Sequence, residues 1–473
     1  MRGDWGKKTK DKRQKTKVKR EITKYYSTNR KSPEVTFQEA LLQGLAPDGG
    51  LYMPVSIPVL TPGEIKSFAS KTYAEIAFII LDKLIGSEID KKVLQKLCLN
   101  SYSFEIPLEK VYNRNYIMRL DQGPTASFKD FAARMMSRLM QYYLSINNQH
   151  LTILTATSGD TGSAVANAFH GLKNINVIIL FPYGEVTSMQ RKQMTTLHDN
   201  IKVIAINGKF DDCQKLVKEA FLDPALTHIN LSSANSINIG RLLPQSVYYF
   251  YSWSRLALNV NEKAVFSVPS GNFGDLMGGL IAKKMGLNVD KFIISTNENK
   301  EVPEFLKTGI YRAISPSKNC ISSAMNVGNP SNLARIVDLY GGFMKETGEI
   351  SVLPDMQKMN RDFFGISVTD EETKRTIADT YSKYQILLEP HGAIAWFGLE
   401  AYLSENKNVR SKKQLCISLE TAHPAKFPEE LRQTINVDPP IPESLSGIDK
   451  KAENYISMEN NYELLKETIL RFY

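Results

Sequence analysis

Short apolar runs that alternate with helical patterns constrain the fold of this chain more than any other feature. The runs start after about residue 100, and most are followed by an amphipathic segment. They are LTILTATS (151–158), NVIILFP (176–182), IKVIAING (201–208), AVFSVPS (264–270), FIISTN (292–297) and QLCISLE (414–420). Continuous apolar strands separated by helices are typical of parallel sheets covered on both faces. The sequence therefore predicts an α/β fold of doubly wound, mostly parallel sheets, which bind ligands at the carboxyl ends of their strands.

The alternating region is predicted to be flanked by two smaller parts. Residues 25–95 contain a Pro/Gly turn cluster, GLAPDGGLYMP (44–54), followed by helical patterns, and we expect a small N-terminal domain there. The alternation favours two α/β subdomains over residues 96–432. Within them, residues 305–375 are less regular and rich in Ser, Asn and Pro, which predicts a domain-sized excursion. A C-terminal segment is expected over residues 433–473.

The positive charge of the chain is confined to its first 24 residues. Residues 1–24 hold eleven Lys or Arg and three acidic residues, so they carry +8 of the net charge of +9. Such a block of like charge with few apolar residues is predicted to be disordered. It could contact RNA by charge alone, but Trp5 is its only aromatic residue, and base stacking is poorly supported. We therefore do not expect nucleic acid as a partner.

The spacing of the cysteines and histidines indicates the cellular compartment and whether a metal site is expected. The four cysteines and six histidines are scattered, without a disulfide framework or the spacing of zinc ligands. This pattern predicts a reducing, cytoplasmic location and no metal site. No apolar run approaches the length that spans a bilayer, so no membrane association is expected.

A lysine in the first turn of a predicted helix stands out in GPTASFKDFAARMM (123–136). Ser127 and Asp130 form a start signal for this helix. Its buried face is predicted to consist of Phe131, Met135 and Leu139. The positive end of the helix macrodipole does not favour a cation at Lys129. Either this side chain reaches into water, or its amine has a function that requires it to lose its proton easily.

Two loops at predicted strand ends have compositions suited to anions. TSGDTGSA (157–164) opens a helix whose first N–H groups can bind an anion, although an ordinary turn with Asp160 as its cap has the same composition. VPSGNFGDLMGG (268–279) is rich in glycine, which lets backbone amides approach a phosphate. It matches neither the nucleotide P-loop nor the dinucleotide fingerprint, so the phosphate of a smaller cofactor fits it better than a tight turn alone.

Two further segments carry polar groups whose roles stay open from the residues alone. Thr421 in SLETAHPAKFPEEL (418–431) follows the last predicted strand, where it either caps a turn or bonds a bound ring. Arg241 in SANSINIGRLLPQ (233–245) has Asn235 and Ser236 nearby, a combination that suits a substrate oxyanion. The alternative is a surface arginine on an amphipathic helix.

Taken together, these motifs resemble the threonine synthase family, in the longer branch found in many bacteria and fungi. The resemblance rests on GPTASFKDFAARMM, TSGDTGSA, VPSGNFGD, NSINIGR, LEPHGAIAW and LETAHPAKFP, and on YYSTN and GLAPDGGLYMP before them. It covers residues 25 to about 432 in order and implies a fold-type II pyridoxal 5′-phosphate enzyme, similar to the tryptophan synthase β chain. One departure is local: Ile239 and Gly240 stand where many relatives have an aromatic residue after NSIN, which affects the expected shape of the substrate pocket.

The resemblance implies roles for twelve residues. Lys129 would carry the cofactor as a Schiff base, and it would move protons as general acid and base. The cofactor would be held by Asp160, Gly271, Asn272, Phe273, Asp275 and Thr421, and the substrate by Ser158, Thr161, Asn235, Ser236 and Arg241. Thr421 would face the pyridine nitrogen, while Asn235, Ser236 and Arg241 would bind the substrate phosphate.

The implied reaction converts O-phospho-L-homoserine and water to L-threonine and phosphate. The nearest alternative is a phospho-lyase of the same fold, which would eliminate phosphate and give 2-oxobutyrate. A serine or threonine dehydratase suits the long N-terminal domain less well. A non-catalytic protein that binds RNA through the basic tail is the alternative from another class. We expect a monomer or a homodimer.

Overall fold

The computed structural model describes residues 22–345, 347–406 and 413–472, and its framework consists of two largely parallel β-sheets covered by helices. In chain order the strands are β1 (Lys24–Ser27), β2 (Val35–Thr36), β3 (Tyr52–Pro54), β4 (Leu108–Tyr112), β5 (Asn115–Arg119), β6 (Leu151–Ala156), β7 (Ile175–Pro182), β8 (Ile201–Asn207), β9 (Leu231–Ser232), β10 (Ala264–Pro269), β11 (Val289–Thr296), β12 (Phe343–Met344), β13 (Ile350–Val352), β14 (Phe363–Ser367), β15 (Leu415–Glu420) and β16 (Ile456–Glu459).

The α-helices lie between these strands and shield both faces of the sheets. In chain order they are α1 (Phe37–Gln43), α2 (Pro62–Ser67), α3 (Tyr73–Ile85), α4 (Lys91–Ser101), α5 (Lys129–Asn147), α6 (Asp160–Phe169), α7 (Ser188–Thr195), α8 (Phe210–Leu222), α9 (Ile239–Leu242), α10 (Ser246–Leu256), α11 (Gly274–Lys284), α12 (Glu301–Thr308), α13 (Leu333–Leu339), α14 (Met356–Asp362), α15 (Asp370–Tyr384), α16 (Pro390–Glu405), α17 (Pro428–Ile435) and α18 (Tyr462–Arg471). Among the described residues, no helix combines the length and the apolar character needed to cross a membrane.

The larger sheet has six strands in the order β14-β11-β10-β15-β5-β4. All neighbouring pairs are parallel except β4 and β5, which form an antiparallel pair at one edge. The central strands β10 and β15 are buried at every residue. Burial on both faces requires apolar side chains at successive positions, as the sequence predicts for these two strands.

The smaller sheet has five parallel strands in the order β16-β8-β7-β6-β9. Its central strands β6, β7 and β8 are the first three apolar runs of the sequence, and the other three runs are β10, β11 and β15 of the larger sheet. The prediction of a doubly wound, mostly parallel α/β fold is confirmed.

The predicted domain borders differ from the observed elements by several residues. The border at residue 95 falls inside α4, and the border at residue 432 falls inside α17. The predicted basic tail (residues 1–24) lies outside the described residues up to position 21. Its last residues are structured, because Ile22 forms a backbone bridge with Gly86 and Lys24 begins β1.

The predicted excursion over residues 305–375 and the C-terminal segment both return to the sheets. Residues 309–332 are largely irregular, but β14 then forms the edge of the larger sheet and pairs with β11. Residues 363–367 of the predicted excursion thus belong to the larger sheet. The C-terminal segment supplies β16, which completes the smaller sheet beside β8, and α18, which packs on α8.

Candidate functional site

One open cavity is lined by all of the site residues that the sequence singles out. It lies where the loops after β6 of the smaller sheet meet the loops after β10 and β15 of the larger sheet. The twelve lining residues in question are Lys129, Ser158, Asp160, Thr161, Asn235, Ser236, Arg241, Gly271, Asn272, Phe273, Asp275 and Thr421. The carboxyl ends of parallel strands are where this architecture binds ligands.

Backbone pairing fixes Lys129 beside Thr421. The segment before α5 runs along the residues that follow β15, where the N–H of Phe128 donates to the carbonyl of Thr421 (2.9 Å). On the same segment, the N–H of His423 donates to the carbonyl of Ala126 (3.0 Å). Thr421 is 5 % exposed and directly follows β15 at the cavity wall. The first residue of α5 is thus held at the end of a central strand.

The predicted start signal of α5 is wrong in its details. Phe128 precedes the helix without a side-chain cap, and within the described part of the chain the Ser127 hydroxyl has no hydrogen-bond partner. The Asp130 carboxylate turns back to accept hydrogen bonds from the N–H and the hydroxyl of Thr125 (2.9 and 2.7 Å). A tertiary contact with the preceding loop therefore replaces the local cap, whereas the predicted buried face of Phe131, Met135 and Leu139 is confirmed.

The environment of Lys129 lowers the pKa of its amine. Its side chain is 13 % exposed, and its Nζ lies 3.8 Å from Oδ2 of Asp160. Burial lowers the pKa of Lys129; Asp160 acts in the opposite direction, and the charges of Lys426 and Arg241 lower it further. Of the two readings of Lys129 left open by the sequence, a side chain in water does not fit this position.

The loop after β6 presents Asp160 at the first position of α6. Gly159 adopts a φ of 125°, and the N–H groups of Gly159 and Gly162 donate to the Thr157 hydroxyl (2.9 and 2.7 Å). Asp160 itself makes no side-chain cap; its Oδ1 accepts a hydrogen bond from Nε2 of Gln190 (2.9 Å) and pairs with Lys426. The alternative of a simple capping role for Asp160 is therefore wrong.

The glycine-rich loop after β10 leads into the N-terminus of α11 at the cavity wall. Phe273 adopts a left-handed φ of 61° immediately before the helix. At Gly271, a Cβ atom would lie 2.8 Å from the carbonyl oxygen of Ala324, so this position excludes a side chain and keeps bare backbone. Nδ2 of Asn332 donates to the carbonyl of Asn272 (2.9 Å) and fixes the loop. The backbone is thus arranged as an anion site at a helix N-terminus requires.

Arg241 is buried rather than exposed on a surface helix. It is 4 % exposed and donates from Nη1 to the carbonyl of Ala234 (2.7 Å), and its Nε has no hydrogen-bond partner among the residues that the structure describes. Burial lowers the pKa of Arg241 to about 10. In the same cavity, Asn235 donates to the carbonyl of Ala156 (3.0 Å), and the Ser236 hydroxyl accepts from Asn332 (3.1 Å).

Two residues near the site were missed by the residue-level predictions, although both lie in quoted motifs. His391 lines the cavity, and its Nε2 accepts a hydrogen bond from the N–H of Ala324 (3.1 Å). Lys426 is fully buried behind the cavity wall and contacts Asp160. Neither role can be read from local spacing, because each partner comes from a distant part of the chain.

The surroundings of His423 lead us to expect that the protein loses stability when the pH is lowered. It is half-buried, its Nδ1 accepts a hydrogen bond from the N–H of Ala425 (3.1 Å), and burial together with the charges of Arg119 and Lys426 lowers its pKa to about 4. Because the unfolded chain binds this proton more readily, we expect the free energy of unfolding to fall as pH drops from about 6.5 to about 4, by at most about 1.4 kcal/mol per pH unit.

Urea unfolding of the protein and of His423→Asn over this pH range measures the effect. Asparagine can accept the same hydrogen bond but does not titrate, so the variant should show a shallower slope. Equal slopes for the two proteins would contradict a neutral, buried His423.

Three family models match the chain in order. They are described as threonine synthase N terminus (residues 24–102), pyridoxal-phosphate dependent enzyme (residues 106–419) and threonine synthase, C-terminal (residues 397–469). Together they extend over nearly all of the described residues, including the N-terminal helices and the strand β16.

Known proteins match over most of their own length as well. The threonine synthase of Buchnera aphidicola subsp. Acyrthosiphon pisum is 41 % identical, over 90 % of this chain and 94 % of that protein. The crystal structure of PLP-bound threonine synthase from Brucella melitensis superposes with a TM-score of 0.86 at 33 % identity, covering 95 % of this chain and 99 % of the other. The crystal structure of threonine synthase from Escherichia coli gives a TM-score of 0.85 at 34 % identity, covering 95 % and 100 %.

Proposed function

Because the chain belongs to the threonine synthase family of pyridoxal-phosphate-dependent lyases, we propose that its substrate is O-phospho-L-homoserine, which it converts with water to L-threonine and phosphate. The family establishes the cofactor and the class of reaction. The substrate and the roles of individual residues are argued below from the geometry of the cavity.

The residues present fit pyridoxal phosphate. Lys129 offers a buried amine of lowered pKa inside the cavity, and Gly271 and Phe273 place bare backbone at the N-terminus of α11 for the phosphate. The Thr421 hydroxyl at the end of β15 suits the edge of the ring. When bound, the cofactor supplies an electron sink for carbanions at the substrate carbons.

The proposal of a phosphorylated substrate depends on one observation, the buried guanidinium of Arg241. A buried guanidinium with an unpartnered Nε is costly unless a ligand completes its hydrogen bonds. The neighbouring side chains of Asn235 and Ser236 add neutral donors at the same wall. This set suits a phosphate that remains bound as it leaves the γ-carbon, because a charge-assisted hydrogen bond strengthens as negative charge develops.

Lys129 is proposed to move the protons. Nζ carries one proton at a time: it takes the proton from the α-carbon of the substrate and gives it up before it takes a proton from the β-carbon, which it delivers to the γ-carbon, and it protonates the α-carbon in the last step. Its position at the start of α5, fixed by the pairing of Phe128 with Thr421, holds this nitrogen at one place in the cavity. Ser158 and Thr161, on the loop after β6, are proposed to bind the substrate carboxylate.

The balance of the reaction requires water to add after phosphate leaves. The C–O bond at the γ-carbon breaks, and the γ-carbon receives a proton. The oxygen of water then bonds to the β-carbon, and a water proton is released.

Thr421, as a neutral hydroxyl rather than a carboxylate, is proposed to leave the ring nitrogen of the cofactor largely unprotonated, which favours elimination and replacement over transamination.

Product analysis tests the proposal. The holoenzyme is incubated with O-phospho-L-homoserine in H₂¹⁸O, with L-homoserine as the matched substrate that lacks the phosphate. We expect L-threonine and phosphate in equal amounts, with one ¹⁸O atom in the threonine hydroxyl, and no reaction of L-homoserine. Formation of 2-oxobutyrate and ammonia would identify a phospho-lyase instead, and absence of phosphate release would reject the substrate.

We also propose a cytoplasmic location, supported by the four cysteines, which are all free and buried. The state of assembly, monomer or homodimer, stays a prediction.

A further inference from the structure

A second lysine lies buried next to the first. Lys426 is 0 % exposed and belongs to the short turn Pro424–Lys426 that follows β15. Its Nζ lies 2.6 Å from Oδ1 of Asp160 and donates to the carbonyl of Thr125 (2.9 Å). Within the part of the chain that the structure describes, Lys129 is the lysine that lines the cavity, whereas Lys426 does not reach it.

The two lysines share one carboxylate unequally. Oδ1 of Asp160 is occupied by Lys426 and by Nε2 of Gln190, while Oδ2 is the oxygen that faces Lys129 at 3.8 Å. Although burial raises the pKa of Asp160, the charges of Lys426 and Lys129 outweigh it and hold this pKa well below its usual range. Asp160 is therefore a permanent anion whose close partner is Lys426.

Charge balance then decides which amine is neutral. One buried carboxylate compensates the charge of one buried ammonium, and a second, unpaired ammonium beside it costs free energy. Lys426 has the short contact and is fully buried, whereas Lys129 stands at a distance too long for a hydrogen bond and opens onto the cavity. Lys129 is thus the amine without a close counter-ion.

We propose that Lys426 is a positioning residue that serves as the fixed counter-ion of Asp160 and thereby leaves Lys129 free to act as a neutral amine. The inference rests on the proposed role of Lys129 as the lysine that carries the cofactor. The other charged groups that face Lys129 are Arg241 on α9 and Asp275 on α11, with His391 of α16 on the same cavity. All three are unchanged in the test below.

The test measures how fast the apoenzyme captures pyridoxal phosphate at different pH values. Capture needs the neutral amine, so its rate constant falls about tenfold for each unit by which pH lies below the pKa of Lys129. The readout is the visible absorbance of the bound cofactor, followed by borohydride reduction and peptide mapping to locate the label. Binding of 4′-deoxypyridoxine 5′-phosphate, which lacks the aldehyde, reports the integrity of the cofactor site without Lys129 chemistry.

In Lys426→Met, Asp160 loses its close partner, and Lys129 is the lysine that still faces its carboxylate. We expect the pH midpoint of capture to rise by at least one unit, which slows capture about tenfold at any pH below the midpoint of the parent protein, while 4′-deoxypyridoxine phosphate binds nearly as before. Lys426→Arg should restore much of the parent profile. Lys466→Met is the matched control, because it removes a lysine paired with Asp223 (3.0 Å) away from the cavity and should leave the profile unchanged.

A second pair of variants keeps the test decisive if Lys426→Met does not fold. Asp160→Asn and the double variant Asp160→Asn/Lys426→Met contain no unpaired buried carboxylate, and they differ only in the charge of Lys426. Because Lys426 acts through Asp160, the midpoints of these two variants should be nearly equal. A midpoint higher by one unit or more in the double variant would show that Lys426 acts on Lys129 without Asp160, and this result, or equal losses of both ligands in Lys426→Met, would overturn the proposal. A label on a lysine other than Lys129 in the parent protein would instead reject the proposed cofactor lysine.

Discussion

The Lys129→Ala protein is expected to be colourless and to form threonine at a rate lower by at least about 10³-fold. The expected loss combines removal of the covalent attachment with removal of the amine that moves protons, and general acid–base catalysis alone contributes about 10²–10⁴-fold. The measurements are the visible spectrum after incubation with pyridoxal phosphate and the initial rate of phosphate release from O-phospho-L-homoserine.

Lys263→Ala is the matched control for this variant. Lys263 is an exposed lysine with a long contact to Asp290 (3.8 Å), so its replacement should change neither colour nor rate. Intact colour and activity in Lys129→Ala would end the assignment of this lysine. Preserved colour with lost activity would place the cofactor on another lysine and leave Lys129 a role in proton transfer alone.

The second large effect is expected in Arg241→Met. Methionine fills much of the buried volume but removes the cation and the unpartnered Nε. Because hydrogen bonds to charged groups contribute about 1.5–3 kcal/mol, we expect kcat/KM for O-phospho-L-homoserine to fall roughly 10–150-fold, through a higher KM and a lower kcat. Pyridoxal phosphate should bind with nearly unchanged affinity.

Arg255→Met is the control for Arg241→Met, because it removes a half-buried arginine that does not line the cavity. Arg255 donates to the carbonyls of Phe68 and Ala69 (2.8 and 2.7 Å) and does not line the cavity. It should lower stability without a selective change in KM. If Arg241→Met weakens cofactor and substrate equally, Arg241 has a structural role and the proposed phosphate site is wrong.

The sequence predicted those parts of the fold whose signals are local. The strands β6, β7, β8, β10, β11 and β15 lie in the interiors of their sheets and are almost continuously buried, so their apolar runs are unambiguous. The strands β14 and β16 were not predicted because they form sheet edges. β16 is largely exposed, and its sequence ISME has no apolar run.

The candidate site was predicted as a set of loops but not as a network of contacts. Glycine-rich turns and helix starts are visible in the sequence, and the cavity brings all twelve chosen residues together. Contacts between distant segments are not visible, such as Lys426 with Asp160 or Asn332 with Asn272. The Asp130 carboxylate was misassigned for the same reason, since Thr125 competes for it in three dimensions.

The late position of β16 in the chain affects how the protein is made. β8 ends at Asn207, and its partner begins at Ile456, so about 250 residues are translated between the two halves of this pairing. At about 5–20 residues per second, the ribosome needs roughly 10–50 s for them. During that interval the nascent chain exposes a strand edge able to pair with neighbouring chains. Expression should thus be sensitive to translation speed and chaperone supply over this stretch.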